Sequence, residues 1–366
     1  MSSQAGTHGL PLDPAGNNLN ALRFLAASLV VLSHGFELPS GLSTRDWAHL
    51  ATGRAFSWYA VNMFFVISGY LIFASWQRRP QLFPFLYARF LRIVPALLVM
   101  LVVTVLLLGA IFSTFRFDNF LTAPQTIRYF WGCLSIVFVK YELPGVFADN
   151  PLQAVNGSLW TLRYEIFCYA AVAIAGVAGS LKSPSIRRAA LLSGAVAASV
   201  VLISLDVYGL GNSEGRLGML YELCRLALCF MLGGVFYEFG QRIRTKMNFV
   251  FPVAAVLVVL LVAKTAVFTP VASLAIACLT IWLAFVPNGR WITWTRKASD
   301  YSYGMYIYAF PVQQAIIAAI PGVWFAGVIG LGFFVTLAFA ALSWHLIEKP
   351  ALSLKAYRLT ASPQTG

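Results

Sequence analysis

The chain has 366 residues, of which 59% are hydrophobic and only 11% are charged. A soluble domain carries about a quarter charged residues, so this composition excludes a soluble globular protein and describes a polytopic membrane protein with no room for a sizeable soluble domain. A net charge of +13 would suit a nucleic-acid binder, but the basic residues lie between apolar runs, where the positive-inside rule puts them, and no nucleic-acid partner is expected.

The first eighteen residues, Met1–Asn18, are polar and rich in Gly and Pro. They lack a basic stretch before a short apolar core, so they predict a disordered cytoplasmic tail rather than a cleaved signal peptide. Apolar runs follow near 19–38, 58–76, 87–113, 157–180, 187–208, 217–239, 249–265, 270–286, 302–320 and 325–347. A further candidate, Thr126–Val139, is shorter, contains Arg128 and Gly132, and is followed by Lys140. Charge bias decides its status. If it does not span and the N-terminus is cytoplasmic, the cytoplasmic segments hold sixteen of the 26 basic residues. If it spans, every later loop changes sides and the bias collapses. The expected fold is therefore all-α and integral to the membrane, with about ten transmembrane helices and both termini cytoplasmic. Segment 114–156 is expected to be external, carrying an interfacial or re-entrant helix. Residues 19–350 form one membrane domain, and 351–366 a cytoplasmic tail.

The five cysteines all sit in apolar runs, none in a CxxC pair, and the four histidines are scattered. Packing residues are expected there, and no metal site. No internal repeat is visible, which counts against a carrier built on duplicated halves.

Taken in chain order, the first chemical candidate is the pair Arg23 and His34 in LNALRFLAASLVVLSHGFEL. Eleven residues at about 100° each bring both onto one helical face, roughly 16 Å apart along the axis. Ionisable residues inside a span are expensive, and function is their default explanation. Histidine can activate a hydroxyl, and arginine can hold an anion or orient a carboxylate. The plainer alternative makes His34 the outer end of its helix and Arg23 an interface anchor. In the second run, Asn62 and Ser68 suit either helix contact or a site. Arg89 and Arg92, in RFLR, share a face and precede Pro95, a potential kink. They could hold phosphates bidentately, although lipid anchoring explains them as well. In NGSLWTLRYE, Ser158 is a candidate helix cap and Trp160 suits the aromatic belt. Glu165, about two turns in, needs a partner and reads as a functional acid. Glu222 and Arg225 read as an internal pair. In SYGMYIYAFP, the hydroxyls of Tyr303 and Tyr306 could line a polar cavity, with aromatic packing as the alternative.

Together these stretches resemble the acyltransferase-3 family of bacterial integral-membrane acyltransferases. The resemblance rests on Arg23 and His34, FFVISGYLI (64–72), RFLR (89–92), SLWTLRYE (158–165), SYGMYIYAFP (302–311) and IEKP (347–350), which occur in the family's order. It implies transfer of an acyl group, often acetyl, from cytoplasmic acyl-CoA to a hydroxyl of a carbohydrate at the outer face of the bacterial inner membrane. Acyl-CoA is then a donor substrate, with no cofactor held permanently. Carried over by motif, Arg23 and His34 are the central catalytic pair, and Arg89 and Arg92 contact the CoA phosphates. Glu165 lies near the acceptor or orients the histidine, and Trp160, Tyr303, Tyr306 and Asn62 line the substrate site. The resemblance leaves His34 open as general base or acyl carrier. Two departures stand out. Ala309 occupies a position where family members often carry histidine. Only about twenty residues follow the last run, so the soluble hydrolase-like domain of some members is not expected, and transfer is completed alone or with a separate periplasmic partner. The alternatives are acylation of a small molecule or lipid-linked sugar, or a transporter without chemistry.

Overall fold

The computed structural model describes residues 17–41, 46–211, 213, 215–244, 250–285 and 299–360. Most of the expected N-terminal tail, much of the expected loops 240–247 and 287–300, and residues 361–366 lie outside the described residues. Among the described residues the chain is all-helical, and its only strand-like pairing is an isolated bridge between Ser113 and Val146.

The helices are α1 (Leu19–Glu37), α2 (Trp47–Thr52), α3 (Phe56–Arg78), α4 (Leu82–Phe112), α5 (Phe117–Thr122), α6 (Pro124–Leu134), α7 (Leu162–Val177), α8 (Pro184–Val207), α9 (Gly215–Arg244), α10 (Val250–Leu261), α11 (Phe268–Phe285), α12 (Ser302–Ala319) and α13 (Phe325–Ser343). A π turn over Trp344–Glu348 carries α13 into α14 (Lys349–Thr360). Each apolar run thus holds a helix.

Among the described residues seven helices are long and apolar enough to cross a bilayer, fewer than the ten expected. The other three fall short for separate reasons. α7 has 16 residues because a tight 3₁₀ turn, Gly157–Thr161, replaces its first turn. α10 has 12 residues. α12 has 18, but carries three tyrosines and two glutamines. Segment 114–156 holds α5 and α6. With 11 residues, α6 is about 16 Å long, too short for a hydrocarbon core of about 30 Å.

Two local expectations change. The cap before α7 is Asn156, not Ser158: its side chain accepts from the Ser158 backbone N–H, which leaves the Ser158 hydroxyl free for other work. The chain beyond the last apolar run continues as helix to Thr360, because the π turn buries Glu348 against Ser343 and Arg92.

The centre of the fold is α1, packed against α3, α12 and α13, with α3 packed in turn on α9. The α3–α9 crossing is close because glycines face it. A Cβ at Gly69 would lie 1.9 Å from the Phe230 carbonyl oxygen, and one at Gly233 would lie 2.1 Å from that of Val66. Small residues at such crossings let helix backbones approach in a membrane. A second tie joins the 3₁₀ turn to α12. Pro311 has no N–H and cannot satisfy the carbonyl one turn earlier, that of Ile307. The Asn156 side chain donates to this oxygen at 2.8 Å, so a buried acceptor is matched.

Candidate active site

A cavity of about 280 Å³ opens between α1, α3, α4, α7, α12 and α14. Its rim is basic, with Arg78 and Lys355 exposed there and Arg89 half-buried beside them. Arg89 lies on the same face of α4 as Arg92, three residues on, as RFLR predicts. Its guanidinium donates to Ser75 Oγ at 3.3 Å and lies over the rings of Phe85 and Tyr169, at 5.4 and 5.8 Å. Among the described residues Arg89 makes no ion pair within 4 Å. It is therefore open to an anionic ligand.

Arg23 and Arg92, also in the cavity wall, are committed differently. Both donate to Asp300 Oδ2, at 2.6 and 2.7 Å. Arg92 also reaches Glu348 Oε2 at 3.5 Å and lies 5.7 Å over the Tyr303 ring. The other Asp300 oxygen accepts from the Ser302 hydroxyl and N–H. Burial opposes charge on Asp300, but the two guanidiniums beside it hold its carboxyl well below the usual carboxylate range, at about 2. It is thus a fixed anion that pins two half-buried cations.

Glu165 also lines this cavity. It accepts from the Tyr169 hydroxyl and from Ser68 Oγ, the latter at 3.4 Å. Those are its partners; no bond to His34 is formed. Tyr303 donates to the Ile93 carbonyl at 2.9 Å. Tyr306 donates to the Ser158 carbonyl at 2.6 Å and accepts from Thr161 Oγ1 at 2.6 Å. Tyr306 and Thr161 close the inner end of the cavity.

His34 lies beyond that wall. α1 is unbroken from Leu19 to Glu37, so Arg23 and His34 keep their common face, but only Arg23 reaches the cavity. The imidazole packs edge-on to Phe310, with centroids 5.1 Å apart. Tyr303, Tyr306, Phe310 and Gln313 follow helical spacing along α12, so one face of α12 leads from the arginine cavity to His34.

The structure therefore brings Arg23, Arg89, Arg92, Glu165, Tyr303 and Tyr306 together, with His34 one step beyond. It leaves Trp160 and Asn62 outside. Trp160 packs edge-on to Tyr164 and lines a separate recess with Tyr141, Arg163 and Glu222. Asn62 is fully buried and accepts from Arg225, whose guanidinium also pairs with Glu222 and lies 5.2 Å over the Trp58 ring. Glu222 and Arg225 thus form the internal pair expected. Sequence reasoning missed Asp300, Arg78 and Lys355. Arg78 and Lys355 are among the sixteen basic residues of the cytoplasmic segments, which charge bias alone explains, and Asp300 adjoins SYGMYIYAFP without belonging to it.

A helical membrane domain with a basic cavity at one end of α1 and a histidine at the other agrees with the comparison to known proteins. A family model described as an acyltransferase domain matches residues 17–345, so the chain belongs to the acyltransferase-3 family and is a multi-pass membrane acyltransferase. Among similar proteins is an O-acetyl transferase of Shigella phage Sf6, 30% identical over 352 residues, covering 94% of this chain and 98% of the relative. Nodulation protein 10 of Rhizobium leguminosarum bv. viciae is 27% identical over 377 residues, covering 93% and 94%. No solved structure matches.

Proposed function

We propose that this acyltransferase takes an acyl group from cytoplasmic acyl-CoA and places it on a hydroxyl of an envelope or exported carbohydrate. Acetyl is the group favoured, since it is the one in the name of the phage relative. The observation that carries the reading is the basic rim: Arg78, Arg89 and Lys355 lie at the mouth of a cavity whose inner end points toward His34. These cations suit the donor's phosphates. Arg92, with its charge met by Asp300 and Glu348, stands behind them and shapes the wall. The thioester passes Tyr306 toward His34. His34 takes the proton from the acceptor hydroxyl; the oxygen attacks the thioester carbonyl, a C–O bond forms and the C–S bond breaks. CoA leaves as thiolate and receives the proton from the imidazolium.

In this reading the chain crosses the bacterial inner membrane ten times, with both termini inside and 114–156 outside. An impermeant maleimide then labels Glu142→Cys in intact cells and Ser185→Cys only after permeabilisation. The reverse pattern overturns the topology.

The activity is tested with purified full-length protein, acetyl-CoA and surface polysaccharide from a host strain lacking the gene. Acceptor-dependent release of free CoA is expected. Arg89→Gln should raise the KM for acetyl-CoA about tenfold, because a hydrogen bond to a charged group is worth about 1.5–3 kcal/mol. Absence of CoA release by the wild-type protein refutes the donor assignment.

A further inference from the structure

Three buried polar atoms close to Phe310 have no hydrogen-bond partner among the described residues: His34 Nδ1, Ser158 Oγ and Gln313 Oε1. Native proteins leave few such groups, because a buried polar atom that nothing meets has given up its hydration for no return. Three in one neighbourhood need an explanation.

The neighbourhood is defined by several contacts. The His34 ring stands edge-on to Phe310. Gly157, next to Ser158, abuts the same ring, since a Cβ there would come within 2.6 Å of Phe310 Cε2. Gln313 lies one turn beyond Phe310 on α12. Its Nε2 donates to the Val31 carbonyl at 2.8 Å and sits 3.3 Å from where a Cβ at Gly35, the neighbour of His34, would be. The Val31 bond orients the amide and leaves Oε1 as the unmatched atom. The Ser158 carbonyl is held by Tyr306, in the wall of the arginine cavity. Ser158 therefore stands at the boundary, with its carbonyl on the cavity side and its hydroxyl unmatched.

The chemistry of the three differs from that of the cavity. The cavity presents guanidiniums, an ammonium and the Glu165 carboxylate beside its hydroxyls. The group around Phe310 consists of an imidazole, a hydroxyl and a carboxamide. Gln313 Oε1 is an acceptor only, and the other two atoms can each take an O–H hydrogen bond. Such a set suits an uncharged hydroxyl ligand, and Phe310 supplies an apolar face of the kind that sugar C–H groups lie against.

We propose that Ser158 and Gln313, together with His34, form the subsite that seats the acceptor hydroxyl, and that this subsite takes a neutral sugar. Phe310 is its wall toward the donor cavity. This inference rests on the acyl-transfer reading above and adds to it the residues that position the acceptor. Ser158 and Gln313 are positioning residues, and the proton is taken by His34.

Ser158→Ala is the decisive variant, because the hydroxyl it deletes makes no hydrogen bond among the described residues. A hydroxyl without a role predicts unchanged or slightly improved stability and unchanged transfer. The subsite predicts unchanged or higher thermal stability together with loss of transfer. The assay uses full-length protein in nanodiscs, acetyl-CoA, and surface polysaccharide from a host strain lacking the gene. The KM for polysaccharide should rise about tenfold, as expected for one lost hydrogen bond, with the KM for acetyl-CoA within twofold of wild type. Transfer equal to wild type overturns the proposal. So does a rise in acetyl-CoA KM with polysaccharide KM unchanged, which would move Ser158 to the donor site, or a lowered melting temperature accompanying the loss. If the wild-type protein itself releases CoA but acetylates no polysaccharide, the carbohydrate reading falls and the subsite with it. A wild-type protein active on polysaccharide beside a fully active Ser158→Ala removes the subsite alone.

Discussion

His34→Ala lowers acyl transfer by roughly a hundredfold or more, the range that one positioned acid–base group supplies, while the protein stays folded. The two halves of this expectation come from separate observations. His34 Nδ1 has no partner among the described residues, so its loss leaves no stranded polar group. What is lost is the edge contact with Phe310, worth about 0.5–1.5 kcal/mol beyond area for an aromatic pair. A structural histidine would show the opposite balance, with lower stability and retained turnover. Steady-state transfer measured beside thermal denaturation of the same preparation separates the two. Wild-type turnover in a folded His34→Ala protein would remove His34 from the centre of the reaction.

The largest effect on stability is expected at Asp300. Asp300→Asn removes a buried carboxylate and leaves the half-buried Arg23 and Arg92 facing each other without their shared counter-ion, and Glu348 reaches only Arg92. Removing one partner from a buried ion pair costs about 3–5 kcal/mol. The variant should melt well below the wild type and extract poorly in detergent, and Asp300→Glu should recover part of the loss. A melting temperature equal to wild type would show that the two guanidiniums need no anion. The pH dependence has a definite sign. The folded-state value for Asp300, about 2, lies below the ordinary carboxylate value of about 3.9. Its stabilisation is therefore fully present above that ordinary value and is lost as the pH falls through the folded one. Around neutrality this carboxylate contributes no pH dependence to the melting temperature.

Periodicity alone was enough to put Arg23 and His34 on one face of α1 and Arg89 beside Arg92 on α4, because both relations lie within single helices. The partners of those residues were not legible in the same way. Asp300 joins Arg23 across 277 positions and Arg92 across 208, and such distances are closed only by the packing of α1, α4 and α12. The surroundings of Glu165 were also out of reach. The resemblance puts it near the acceptor or beside the histidine, whereas its carboxylate accepts from Tyr169 and Ser68 in the basic cavity. The 3₁₀ turn before α7 rises faster than an α-helix and has a different period, so residues beyond it are displaced from where an α-helical count puts them. Asn62 suited either a helix contact or a site, and the contact that its Oδ1 makes, with Arg225 on α9, spans 163 positions and could not be read from the span alone.

The bond between Asn156 and the Ile307 carbonyl makes two distant stretches one mechanical part. They lie 151 positions apart, yet the gap that Pro311 opens in one helix is the socket that receives the other. Thr161 and Ser158, on the turn, and Tyr306 and Phe310, on α12, ride on that joint. The wall between the basic cavity and His34 is thus built as one panel rather than from independent side chains, so a change at Asn156 reaches both of its sides.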